Sequence, residues 1–258
     1  MDLGLKGKKA VVTGATRGIG RAIAETLAAE GADVAICARD ADAVKTAVAE
    51  LSTRGVAAHG GAVDIADGGA LRAWIAEAGR ALGRIDILVS NASALSDSLG
   101  NTEKHWEAGF RIDVLGAVNS FDAAKPFLLD AAARNGDAAF VIIASIAAAE
   151  ADIPQAYGAV KAALIHFAKG VAREYAPKQV RANVVSPGSV YFEGGVWHMV
   201  EKHMPERFAA TIKRNPTGRM ATPQEIANAA VFLASPASSF TTGINMIVDG
   251  TVSRRVNF

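Results

Sequence analysis

The chain has 258 residues, half of them hydrophobic and 21% charged, with a formal net charge of +1. That balance supplies one sizeable core and excludes a broad basic surface for nucleic acid or an acidic tail. The single cysteine, Cys37, excludes an internal disulfide, and the longest near-apolar run, residues 138–149, falls short of the roughly 20 residues that cross a bilayer. With no apolar signal core in residues 1–9, the cytoplasm is the expected location, with no membrane partner.

In chain order, residues 9–13 read as a short apolar strand and 19–30 as a helix, followed by a strand over 33–38 and a helix over 41–54. A strand over 56–63, a helix over 69–82 and a strand over 85–90 come next, then one long helix over 105–133. Residues 140–144 form a strand with no polar alternation, as a parallel strand covered on both faces requires. A helix over 155–175, a strand over 180–186, a helix over 223–234 and a strand over 244–248 complete the pattern. Strictly alternating strands and helices predict an α/β fold: one Rossmann-type, doubly wound parallel sheet with helices on both faces. No Pro- or Ser-rich linker divides residues 1–258, so a single domain is expected. The irregular stretch 188–217 carries Tyr191, Phe192, Trp197, Met199 and Met204 and reads as a small substrate lid.

The first strand runs directly into Thr13-Gly14-Ala15-Thr16-Arg17-Gly18-Ile19-Gly20, and a helix follows. Glycines there let the backbone turn tightly against a pyrophosphate, and the helix start offers free N–H groups and a positive dipole end. Gly14, Thr16, Arg17, Gly18, Ile19 and Gly20 are therefore candidate cofactor residues. At the end of the second strand Ala38 leaves no carboxylate to hold the ribose hydroxyls of NAD. Arg39 follows, and with Arg17 it would form a two-guanidinium site for the 2′-phosphate of NADP. Asp40 argues the other way, towards NAD, if the chain drifts by one residue.

Tyr157 and Lys161 lie four apart on the helix over 155–175, which puts them on one face. A lysine beside a phenol stabilises the phenolate, so the tyrosine can give a proton to a forming alkoxide or take one from an alcohol. Ser145, just after the strand over 140–144, is placed to hold a substrate oxygen. These residues point to a small-molecule carbonyl or alcohol substrate and to no metal.

Together, Thr13–Gly20, Ser145 and Tyr157-Gly158-Ala159-Val160-Lys161 resemble the short-chain dehydrogenase/reductase family, in its compact branch of about 250 residues. Asp64, Ser90-Asn91-Ala92 and Asn183-Val184-Val185-Ser186-Pro187-Gly188 also match. The tail, through Gly218-Arg219-Met220, Phe232-Leu233-Ala234-Ser235, Thr242-Gly243 and Asp249-Gly250, resembles the 3-oxoacyl-(acyl-carrier protein) reductases, which implies a place in fatty acid metabolism. The resemblance makes Tyr157 the general acid/base, Lys161 the ribose-binding partner and Ser145 the orienter of the substrate carbonyl. It places Asp64 and Ile65 beside the adenine, Asn91 along the cofactor trough, and Pro187, Gly188 and Val190 beside the nicotinamide.

Three positions depart from the family pattern. Ser93 stands where glycine is usual, and Phe192 where a threonine hydroxyl is usual. Asp113 stands where the family has a catalytic asparagine, whose main-chain carbonyl is understood to bind a relay water leading to the lysine. A main-chain role would survive that change, and a side-chain role would not. If it did not survive, the chain would be a cofactor-binding regulatory protein without turnover. A sugar-nucleotide epimerase of the same superfamily would need a longer chain. The resemblance also implies a homotetramer or homodimer, with the helices over 105–133 and 155–175 pairing through small residues such as Ala159, Ala162 and Ala163. An acyl-carrier protein would dock on Arg134 and Lys178.

Overall fold

The computed structural model describes residues 2–151, 153–254 and Val256, with the side chain of Ser96 outside the description. Its strands are β1 (Lys9–Thr13), β2 (Asp33–Ala38), β3 (Ala58–Ala62), β4 (Ile87–Ser90), β5 (Ala138–Ile143), β6 (Val180–Pro187) and β7 (Asn245–Val248). All pair in parallel, in the order β3-β2-β1-β4-β5-β6-β7. Parallel pairing demands crossovers, which are supplied by α1 (Gly18–Ala29), α2 (Ala41–Ser52), α3 (Gly68–Leu82), α4 (Leu95–Ser98), α5 (Glu103–Gly109), α6 (Leu115–Asn135), α7 (Ala156–Tyr175), α8 (Val196–His203), α9 (Pro205–Arg214) and α10 (Pro223–Ala234).

Because side chains alternate along a strand, β1 feeds two cores. Val11 joins one with Leu71 and Ile75 of α3, Leu128 of α6 and Leu164 of α7. Ala10 and Val12 join the other with Ile23 and Leu27 of α1, Leu51 of α2 and Ile226 of α10. Helices thus cover both faces, as the apolar runs of the strands require. The strand order reverses between β1 and β4, and the crevice at their carboxyl ends is where such sheets receive ligands.

Three expectations change. The single helix expected over 105–133 is broken: α5 ends at Gly109, a π-helical turn runs from Phe110 to Val114, and α6 begins at Leu115. The wider turn shifts the side-chain phase, so Asp113 is buried while its neighbours Phe110 and Arg111 are exposed. The stretch expected to be irregular is largely helical, as α8 and α9, and its ends meet where Val190 pairs in parallel with Ala221. The short helix α4 had no signal in the sequence pattern. No described helix is long and apolar enough to cross a membrane.

Candidate active site

β1 delivers the chain to the crevice at Gly14 and Gly18, whose φ values of +65° and +57° are those that glycine adopts without steric cost. The turn is pinned from below, since Gly14 N–H donates to the Cys37 carbonyl at 2.8 Å. α1 then starts without a cap: Arg17 precedes it in extended conformation, no side chain accepts from its first N–H groups, and its first turn carries no acid. Uncapped amides at a positive helix end fit the pyrophosphate of a dinucleotide. Thr16 and Ile19 are half-buried beside these amides, and Gly20 is buried. Asn91 supports the turn: its Nδ2 donates to the carbonyls of Gly14 (2.9 Å) and Thr13 (3.1 Å). Farther along the crevice, Ile65 is buried and Asp64 is exposed, its Oδ1 accepting from Ala66 N–H at 3.0 Å.

At the end of β2, the competition between Arg39 and Asp40 resolves geometrically. Asp40 caps α2, its Oδ1 accepting from the N–H groups of Asp42 and Ala43 at 3.0 Å each. That carboxylate is committed to the helix start, while Arg39 is exposed at the strand end. Arg17, the other guanidinium expected here, donates from Nη1 to the carbonyl of Gly194, in the loop before α8, at 3.3 Å.

The chemistry-bearing residues come from β5, α7 and the π turn. Ser145 follows β5 in extended conformation, and its Oγ accepts from Ala147 N–H at 3.1 Å. Its own O–H hydrogen is left to donate to a substrate oxygen. Tyr157 is the second residue of α7 and is half-buried. Gly158 lets α7 approach the Ser145 turn, since a Cβ there would lie 2.7 Å from the Ala147 carbonyl oxygen. Lys161 is 2% exposed, with Nζ 5.7 Å from the centre of the Tyr157 ring. Its ammonium donates to the Ile143 carbonyl at 3.0 Å and lies 2.9 Å from Asp113 Oδ1. The second contact is an ion pair that leaves Oδ1 without a well-directed hydrogen bond, whereas Oδ2 accepts from Ala94 N–H at 2.9 Å. Burial disfavours the charged form of Lys161, but the Asp113 carboxylate and Tyr157 outweigh it and hold its pKa above the ordinary lysine value. The site therefore brings together a phenol, a hydroxyl with a hydrogen left to donate, and a buried ammonium paired with a buried carboxylate.

The comparisons with known proteins agree with this geometry. Residues 14–253 match a family model described as enoyl-(acyl carrier protein) reductase. The chain is 38% identical to isoepoxydon dehydrogenase of Penicillium expansum, over 98% of this chain and 97% of that one. The chain belongs to the short-chain dehydrogenase/reductase family. Among solved members, L-sorbose reductase from Gluconobacter frateurii, complexed with NADPH and L-sorbose, superposes with a TM-score of 0.89 at 31% identity, covering 99% of this chain and 100% of its own. A 7α-hydroxysteroid dehydrogenase complexed with NADH and 7-oxo glycochenodeoxycholic acid gives a TM-score of 0.88 at 30% identity, covering 99% and 98%. Members of this family are NAD(P)-dependent oxidoreductases acting on carbonyl and CH–OH groups, and this chain is one of them.

The residues expected to form a lid, and those leading into them from β6, do not all face one way. Pro187 is buried, and Gly188 packs so closely on β7 that a Cβ would meet Asp249 at 2.9 Å. Val190 is buried, and Tyr191 bonds Glu201 and packs edge-on against His198 and Phe208. Trp197 is half-buried, while Met199 and Met204 are among the exposed apolar side chains. Phe192, at the family's threonine position, packs against Gly18. Ser93 is exposed beside Ala94. Sequence reasoning missed the Ala94 N–H, the Ile143 carbonyl and Gly194, because main-chain partners carry no residue-type signal.

Proposed function

We propose that this protein is an NADP-dependent oxidoreductase that interconverts a ketone and a secondary alcohol. The observation that carries this is the convergence of Ser145, Tyr157 and Lys161 at the end of β5 and the start of α7, in the same sheet as an uncapped anion-binding turn. The cap that engages Asp40, and the exposure of Arg39, favour NADP over NAD, as do the bound cofactors of several structural relatives.

A bound nicotinamide supplies or accepts the hydride. The remaining work falls to the chain. Ser145 donates a hydrogen bond to the substrate oxygen and fixes the carbonyl. Tyr157 O–H passes its proton to that oxygen during reduction and recovers it during oxidation. The Lys161 ammonium favours the phenolate through its field and is placed to hold a ribose. Asp113 acts through its side chain, holding Lys161 against the Ile143 carbonyl, so its role does not depend on a relay water.

The substrate class is a free, small ketone or secondary alcohol. The named ligands of the two structural relatives are a 7-oxo steroid and a ketose, each carrying a ketone. Carrier docking gains little support, because Arg134 is paired with Asp130 at 2.9 Å and Lys178 sits over the Tyr175 ring. A homotetramer or homodimer fits the exposed Trp106, Phe110 and Leu115, which run from α5 through the π turn to α6, and the exposed Ala159 and Ala163 of α7.

The test is nicotinamide absorbance with a panel of free ketones and alcohols. Turnover that is lost in Tyr157→Phe supports the reading. Tight cofactor binding with no turnover on the whole panel favours the regulatory alternative. Activity confined to carrier-linked substrates, falling with salt and with charge reversal at Arg134 or Lys178, restores the carrier reading.

A further inference from the structure

The phosphate turn and the lid touch at two points. The Phe192 ring lies between two glycines: a Cβ on Gly18 would stand 2.6 Å from its Cζ, and a Cβ on Gly195 would stand 2.9 Å from the same atom. Gly18 belongs to the turn and Gly195 to the lid, so one aromatic ring fills the space both leave open. Beside it, Arg17 Nη1 donates to the Gly194 carbonyl. Gly194 also donates its N–H to His198 Nδ1 at 2.9 Å, which continues the connection into α8.

These contacts are mechanically distinct. Ser189, Val190 and Tyr191 are fixed to Ala221 by main-chain hydrogen bonds and a parallel bridge. Phe192 leaves that fixed rung and is packed partly into the core between the sheet, α1 and α10. Arg17 is exposed, and its single bond to the lid is to a neutral carbonyl. A phosphate is a stronger partner for a guanidinium than a carbonyl is, because both groups are charged and the geometry is bidentate.

We propose that Arg17 is a positioning residue shared between the dinucleotide's phosphates and the lid. A bound phosphate recruits Arg17 from the Gly194 carbonyl and frees residues 193–199, while Phe192 remains the pivot against Gly18. Cofactor binding thereby changes the lid before any substrate is present, and by reciprocity the lid changes phosphate affinity. This rests on the NADP reading of the site.

The probe is 2′,5′-ADP, which carries the phosphates of NADP without the nicotinamide. Hydrogen exchange of the amides from Gly194 to Val200 is followed with and without it, and its dissociation constant is measured by calorimetry. In the unmodified protein, saturation with 2′,5′-ADP is expected to speed exchange in this segment. Arg17→Ala is expected to exchange fast without ligand and to show no further change at saturation. Gly195→Ala, which presses on the Phe192 ring from the lid side, is expected to weaken 2′,5′-ADP by about fivefold, the low end of common coupling factors. Gly170→Ala, with nothing within 4 Å of the added Cβ, is the control and is expected to bind as the unmodified protein does. If 2′,5′-ADP binds but exchange and the Gly195→Ala affinity stay unchanged, the coupling is overturned and the cofactor reading stands. If 2′,5′-ADP does not bind the unmodified protein, both are overturned.

Discussion

Asp113→Asn removes one negative charge from the catalytic site and, with one amide oxygen in place of two carboxylate oxygens, also removes the acceptor that faces Lys161. The asparagine oxygen can still accept from Ala94 N–H, so the loop after β4 keeps its anchor. The carboxylate of Asp113 is 2.9 Å from Lys161 Nζ, which is 5.7 Å from the centre of the Tyr157 ring. Taking about 8 Å to the phenol oxygen, Coulomb's law gives about 1 kcal/mol at an effective dielectric of about 40 and about 2 at about 20, or roughly 0.75 to 1.5 pH units. The sign follows from the charge: the carboxylate disfavours the phenolate, so its removal lets Tyr157 act as a base at lower pH. The acid limb of kcat/KM for alcohol oxidation should therefore move down by that amount, with activity retained. The assay is a pH series for both proteins on any alcohol they oxidise. A limb that stays in place would show that the pair is electrostatically silent. An upward shift would show that Lys161 loses its proton once its partner is gone, so that the partner's role is to keep the lysine charged. Either result refutes the reasoning.

NADP(H) should be favoured over NAD(H) by at least about 10-fold in catalytic efficiency, roughly 1.4 kcal/mol, and Arg39→Ala should erase most of that preference; equal use of both cofactors by the unmodified protein would remove the argument. Asp40→Ala should cost about 1 kcal/mol of stability through the lost cap on α2, seen as a lower urea midpoint, without shifting cofactor choice towards NAD. The Arg219 guanidinium, with the Thr222 N–H, pulls the Glu225 carboxyl down to about 2, so its contribution is full above the unfolded-state value near 4.5 and is lost as pH falls towards 2. Because that pair is exposed, Glu225→Gln should lower stability at neutral pH by no more than about 1 kcal/mol, with the difference vanishing near pH 2 in denaturant titrations. Light scattering at micromolar concentration should show a dimer or tetramer, and a stable monomer would contradict the pairing assigned to α5, α6 and α7.

The sheet was legible because its signals are local and redundant. The unbroken apolar runs within β1, β2 and β5 report strands covered on both faces, and glycines at 14, 18 and 20 followed by a helix report the tight turn between β1 and α1. Tyr157 and Lys161 could be paired because helical periodicity alone sets their relation. What stayed hidden depends on tertiary partners. The π turn at Phe110–Val114 has no composition signature, and it coincides with the burial of Asp113 against Lys161. From the sequence Asp40 reads only as a ribose ligand, because its role as the cap of α2 shows in the two N–H groups it accepts from. The bond from Arg17 to Gly194 stayed hidden because its acceptor is a main-chain oxygen 177 residues away.

The bridge between Val190 and Ala221 has a consequence for how such a chain can be redesigned. The segment between them starts and ends at neighbouring points, so its length is not set by any distance it must span. Closing a longer or shorter excursion between fixed, adjacent ends costs only a slowly growing entropy, about 0.6 kcal/mol for each doubling. Residues 191–220 can therefore be treated as an exchangeable cassette. A transplanted segment that retains Phe192, Gly194 and Gly195 would keep its grip on the phosphate turn, and the remainder would be free to recognise a different molecule.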